Sequence, residues 1–185
     1  MSDFIADLVL TMVDGFSADV EVLQVGVVDA RTPDAARRVL AAALAYVGEA
    51  GDLISDDIAG IGIMDDAAIL RLAARGAVAA GADDDQLRRL ADEAEKLAYI
   101  FGDLVFKLEE MLAFLQRPDA RGQTPADLIA DPERRMELWR QLNESRAVAD
   151  AHIQAVRTTD AAELVRKMRN AMRRKLQGLD ETDSD

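Results

Sequence analysis

Five aspartates crowd one short stretch of the chain: Asp52, Asp56, Asp57, Asp65 and Asp66. Carboxylates at positions i and i+4 share one face of a helix, so a helical start to this stretch stacks Asp52 on Asp56. The glycines Gly60 and Gly62 allow a turn that returns Asp65 and Asp66 towards them. Carboxylates that converge repel each other unless a hard cation or an arginine neutralises them, and Mg²⁺ or Ca²⁺ takes such oxygen ligands. Asp52, Asp56, Asp65 and Asp66 are therefore the candidate metal ligands, with Mg²⁺ or Ca²⁺ as the candidate ion. The spacing is not that of an EF-hand, which needs alternating acids, a central Gly and a closing Glu. Helix capping explains the same residues more simply. In that reading Asp52 or Ser55 caps one short turn, Asp65 caps the next helix, and Arg71 or Arg75 supplies an ion pair. Each cap contributes about 1 kcal/mol.

Other catalytic constellations are missing from the sequence. There is no cysteine, so thiolate nucleophiles, thiolate metal sites and disulfides are excluded. His152 is the single histidine and is expected on a helix flank. Its i−3 neighbour is Ala149, so the Glu-x-x-His pair of a di-iron bundle is not formed. Gly60-Ile61-Gly62 lacks the Lys of a phosphate-binding loop. No catalytic residue is assigned.

The second candidate is a surface. Residues 160 to 179 place Ala161, Leu164, Val165, Met168, Met172, Leu176 and Leu179 at three-to-four spacing, an amphipathic stripe. Arg166, Lys167, Arg169, Arg173, Arg174 and Lys175 occupy the remainder. Such a concentration of cations stands out in a chain of net charge −13. Dipole complementarity accounts for the last few only. The helix is expected either to pack on acidic helices of this chain or a second copy, or to detach and dock on an acidic partner protein. An anionic membrane surface is a further alternative. The overall acidity argues against a nucleic-acid partner, which needs a basic face.

These residues have to be positioned by helices. The chain has 185 residues, 50% hydrophobic and only 4% aromatic, with 4 prolines. Ala is abundant and costs least in a helix. The expectation is an all-α bundle of six or seven helices. The stripe from Phe4 to Val13, ending near Gly15, forms the first helix, and a start at Ser17 and Asp19 opens a second to about Ala30, despite its β-branched residues, because no other segment could pair with a strand. Thr32-Pro33-Asp34 is a helix start. One long helix is expected from Asp83 to Leu115, headed by three aspartates, with a linker at 117–123. Thr124-Pro125 starts another helix, Asp131-Pro132 is a kink or a second start, and Trp139 is a core anchor. The last helix is capped by Thr158-Thr159-Asp160 and ends near Gly178. The organisation expected is a helical domain over 1–117, a C-terminal helical region over 124–179 and a disordered acidic tail over 180–185. The N-terminus lacks the basic flank of a secretory signal, and no apolar run is long enough to span a bilayer. A cytoplasmic location is the expectation.

Tyr46, Asp52-Leu53-Ile54, Asp56, Ile58, Gly62 and Asp65-Asp66 fall at the spacing of a family signature, and over residues 39–78 the sequence resembles the YkvA-like family, a domain of unknown function. Ser55 and Ala59 stand where that family usually has proline. Loss of those fixed φ angles implies a more helical loop. The resemblance implies a helical hairpin with an Asp-rich loop. The function expected is that of a non-enzymatic interaction or scaffold module, through a protein partner or self-association. The alternatives are a divalent-metal enzyme or sensor, and a peripheral membrane module.

Overall fold

The computed structural model describes residues 2–48, 53–54, 58–119 and 122–182. Among them it is all helix, without strands. The helices are α1 (Ser2–Asp14), α2 (Phe16–Val28), α3 (Asp34–Gly48), α4 (Met64–Ala79), α5 (Asp85–Ala94), α6 (Leu97–Phe101), α7 (Leu104–Phe114), α8 (Pro125–Ala130), α9 (Pro132–Thr158) and α10 (Ala161–Thr182).

The helices outnumber the six or seven expected chiefly because the stretch from Asp83 to Leu115 is not one helix. It breaks after Ala94 and again at Gly102, which takes φ +64°. That conformation suits only glycine. Arg169 on α10 fills the second break: its Nε donates to the Ile100 carbonyl at 2.7 Å and its Nη2 to the Tyr99 carbonyl at 3.0 Å. The last carbonyls of α6, which have no partner within their helix, are satisfied by a neighbouring helix instead.

Helix starts follow the residues that signal them. Asp84 caps α5 by accepting from the Gln86 and Leu87 amides, both at 2.9 Å. The Asp127 carboxylate accepts from the Thr124 amide and hydroxyl, at 2.7 and 2.9 Å. Asp131 caps α9 with Pro132 in its first turn, so Asp131-Pro132 is a second start. Asp160 accepts from the Glu163 amide at 3.0 Å. α10 continues past Gly178 to Thr182, and residues 183–185 lie outside the described ones. A single glycine lowers helix stability without ending the helix.

α4 is the centre of the bundle. Met64 to Ala74 are buried without interruption, and α2, α3, α5 and α7 surround the helix. α3 is buried over Leu40 to Leu44, where three consecutive alanines let α4 approach closely. α9 lies across α1, α2 and α3, presenting Leu138, Leu142, Ala149, His152 and Val156 to the interior. Trp139 is half-buried at the edge of the core and Met136 is exposed; the buried stripe of α9 runs through Leu138 instead.

The buried core holds charge as well. Arg71 is 2% exposed and Asp19 is fully buried. Arg71 Nη2 meets Asp19 Oδ2 at 2.9 Å, and its Nε donates to Glu93 Oε2 at 2.9 Å. Nη1 donates to the Ala67 carbonyl at 2.9 Å. Arg89 closes the ring, reaching Asp19 Oδ1 at 2.9 Å and Glu93 Oε1 at 2.6 Å. Burial pushes the Asp19 carboxyl above its ordinary range, opposed by Arg71 and Arg89. Arg71 and Arg75 thus serve partners other than the Asp loop: Arg75 pairs with Glu95 and Glu109.

α10 is an integral helix. Leu164, Val165, Met168 and Met172 are buried against α1, α6 and α7, so the detachable helix is corrected to one packed on its own chain.

Removing one member of a buried charge cluster leaves its partner uncompensated, at about 3–5 kcal/mol. Arg71→Met should lower unfolding free energy by that amount in urea titration, and Asp19→Leu added to it should restore most of the loss. Met168→Ala should cost about 2–5 kcal/mol. Truncation after Arg157 should yield an unstable or aggregating chain; a remainder that melts like the intact protein would contradict the packing of α10.

Candidate functional site

The Asp loop connects α3 to α4, and its geometry begins with Tyr46 in the last turn of α3. The Tyr46 hydroxyl donates to Asp65 Oδ2 at 2.7 Å and accepts the Leu53 amide at 2.9 Å. Asp65 Oδ2 also accepts the Ile54 amide at 3.2 Å. One hydroxyl and one carboxylate therefore clasp the loop to both of its flanking helices. Burial, reinforced by the Asp65 carboxylate, drives the Tyr46 hydroxyl far above its usual range, so it stays protonated as a donor.

Asp65 is fully buried at the second residue of α4, and Asp66 is 3% exposed. Ile63 occupies the N-cap position and makes no side-chain cap. The capping role expected of Asp65 is thus replaced by the clasp, although its charge still lies at the favourable end of the helix dipole. Asp52, Asp56 and Asp57 fall outside the described residues. Among the described residues no group of three or more His, Asp or Glu side chains is arranged to hold a metal ion.

The second half of the loop winds helically, with the Ile61 and Gly62 amides both donating to the Ile58 carbonyl, at 3.1 and 2.9 Å. Gly60 takes φ +83° and donates its amide to His152 Nδ1 at 3.3 Å. His152 is 6% exposed, inside rather than on the helix flank expected of it. An accepting Nδ1 assigns the proton to Nε2. A Cβ on Gly60 would stand 3.1 Å from Leu164 Cδ2 and 3.4 Å from Ala155 Cβ. The loop is thereby pressed onto both α9 and α10.

The basic residues of α10 divide into two sets. Arg169 is committed to the carbonyls of α6, and Arg173 Nη2 reaches Asp103 Oδ1 at 3.2 Å. Lys167 meets Glu163 at 2.8 Å one turn earlier. Arg166, Arg174 and Lys175 are exposed. Two grooves flank the helix and share Asn170 and Arg173 as lining residues. One, of about 680 Å³, is walled by Phe4, Ile5, Tyr99 and Val165 with Arg166 and Arg173 on its rim. The other, of about 600 Å³, has Ile58 and Ile61 on one side and Lys167, Arg173 and Arg174 on the other. Phe4 and Tyr99 pack edge to face with centroids 5.3 Å apart, yet both rings are about half exposed.

The Asp19–Arg71–Glu93–Arg89 ring, the His152 contact and the aromatic groove are the features that motif reading passes over. Asp19 did carry a signal: Phe16, Val20, Leu23 and Val27 bury the face of α2 on which it lies. The groove carries none, because Phe4 and Tyr99 are distant in sequence.

Tyr46→Phe keeps the ring and removes both hydroxyl bonds, leaving the Leu53 amide and Asp65 less satisfied in the interior. The cost should be about 1–3 kcal/mol, read as a lower urea midpoint at unchanged helical circular dichroism. Equal stability of the two proteins would overturn the clasp.

No family model, no curated protein and no solved structure matches the chain.

Proposed function

We propose that the chain is a non-enzymatic interaction module of the YkvA-like type, whose working surface is the outer face of α10 and whose partner is an acidic protein segment. The observation that carries this reading is the separation of charge. A chain of net −13 gathers Arg166, Lys167, Arg173, Arg174 and Lys175 on one helix face while the apolar stripe of that helix is already buried. Charges arranged in this way steer an oppositely charged partner and set its orientation. Two grooves beside the helix, one with apolar walls and one with Ile58 and Ile61 on a single side, add area that can be desolvated on contact. The YkvA-like assignment is supported by the meeting of Tyr46, Leu53, Ile54 and Asp65, all positions of the signature, in one hydrogen-bonded clasp. In this reading the signature shapes the loop, and the basic face does the binding.

The test uses a fluorescein-labelled, helix-forming Glu/Leu peptide as a mimic of an acidic partner, followed by anisotropy. The intact protein should bind it saturably, with affinity falling as salt rises. Lys167→Glu, Arg174→Glu and Lys175→Glu together should weaken binding by more than about tenfold without changing helical content. The same affinity in the triple variant would sink the proposal.

A further inference from the structure

We infer that the groove between the N-terminal helix and α10 is a binding site for a single amphiphilic carboxylate, of the long-chain fatty-acid class. This deepens the reading of the α10 face as the working surface and rests on it. The groove holds about 680 Å³, within the span of small-molecule sites. Its walls are apolar: Phe4 and Ile5 from α1, Tyr99 from α6, and Ala162 and Val165 from α10. Its rim carries Arg166 and Arg173, and among the described residues no acidic side chain lines it.

Shape and hydrogen bonding select the occupant. A flat bilayer surface cannot fill a concave groove, whereas one acyl chain can. An extended peptide would press its amides against walls that, among the described residues, offer Asn170 as the one neutral side-chain amide, and unpaired buried amides are costly. An alkyl chain has no such groups to satisfy. The half-exposed faces of Phe4 and Tyr99 are apolar surface that the chain would cover. At the rim, Arg166 is exposed, and Arg173 reaches Asp103 with Nη2 at 3.2 Å. A guanidinium presents several donors in one plane and can take a carboxylate with two of them. Arg169, which also borders the groove, fixes its floor by holding the Tyr99 and Ile100 carbonyls.

The experiment is equilibrium dialysis of the full chain against radiolabelled oleate below its micelle concentration. One oleate per chain should bind saturably, and methyl oleate, with the same chain and no charge, should bind at least tenfold more weakly. Arg166→Glu with Arg173→Glu should reduce oleate affinity at least tenfold. Ala162→Trp, which fills the groove and alters no charge, should abolish binding. Arg38→Glu, on the exposed side of α3, should bind as the parent does. Far-UV circular dichroism and melting curves of each variant verify that it is folded. Non-saturable uptake, equal binding of the methyl ester, or indifference to Ala162→Trp would overturn the inference. So would absence of oleate binding together with capture of phosphatidylglycerol vesicles that Ala162→Trp leaves intact, which would make the face a membrane surface. Loss of oleate binding with retained capture of the acidic peptide defeats this inference alone; loss of both defeats the reading beneath it.

Discussion

Arg71 is a full positive charge in the middle of a helix whose neighbours are almost all apolar, and the bundle is arranged around satisfying it. A guanidinium taken out of water loses solvation that only close anions and good hydrogen-bond geometry offset. Asp19 on α2, Glu93 on α5 and the Ala67 carbonyl one turn back on α4 supply those partners. Each donor direction is set by the planar fork of the side chain. A slip of α2 or α5 by one residue would therefore leave a charge unpaired in the interior. Hydrophobic packing tolerates such slips more easily, because apolar contacts are not directional. The ring thus selects one register for three helices that Ala, Leu and Val alone would hold less uniquely.

A second polar constraint acts at the other end of the α3–α4 pair. Tyr46 and Asp65 bind the loop backbone at Leu53 and Ile54, while His152 takes the Gly60 amide. A loop with buried backbone must place its amides somewhere, and here side chains from α3, α4 and α9 receive them. The consequence reaches α10, since Leu164 closes over Gly60. The position of the basic face is in this way linked to the loop through packed atoms. Of the residues that look most like a cation site, Asp65 is the one whose contacts hold the loop in place.

Periodicity and helix punctuation made the fold class legible, because these signals are local. Asp84, Thr124 with Asp127, Asp131 and Asp160 each act within three residues of themselves. The α5–α7 break was not legible, because Gly102 inside an otherwise continuous apolar stripe differs from a tolerated helical glycine only in its dihedral angles. Those angles are stabilised from outside by Arg169, 67 positions further along (169 minus 102). The site divides in the same way. The basic stripe of α10 could be read from spacing alone. Its burial on α1, α6 and α7, the groove beside it and the pairing of Asp19 with Arg71 depend on contacts between distant segments, which no single window of sequence contains.

The two kinds of ionic group in this chain do different work. Arg71 and Asp19 are desolvated and mutually neutralised, so their fields are confined to the interior. Arg166, Arg174 and Lys175 stand in water on a helix anchored by its other face. Exposed charges contribute little to stability, and a helix could bury Leu164, Met168 and Met172 with neutral polar residues outside. Packing therefore explains why α10 is amphipathic, and Arg169 explains one of its cations by its contact with α6. Lys167 and Arg173 meet Glu163 and Asp103, which leaves Arg166, Arg174 and Lys175 as the surplus on the outer face. In a chain whose acids exceed its bases, that surplus gives this helix a local charge opposite in sign to that of the chain as a whole.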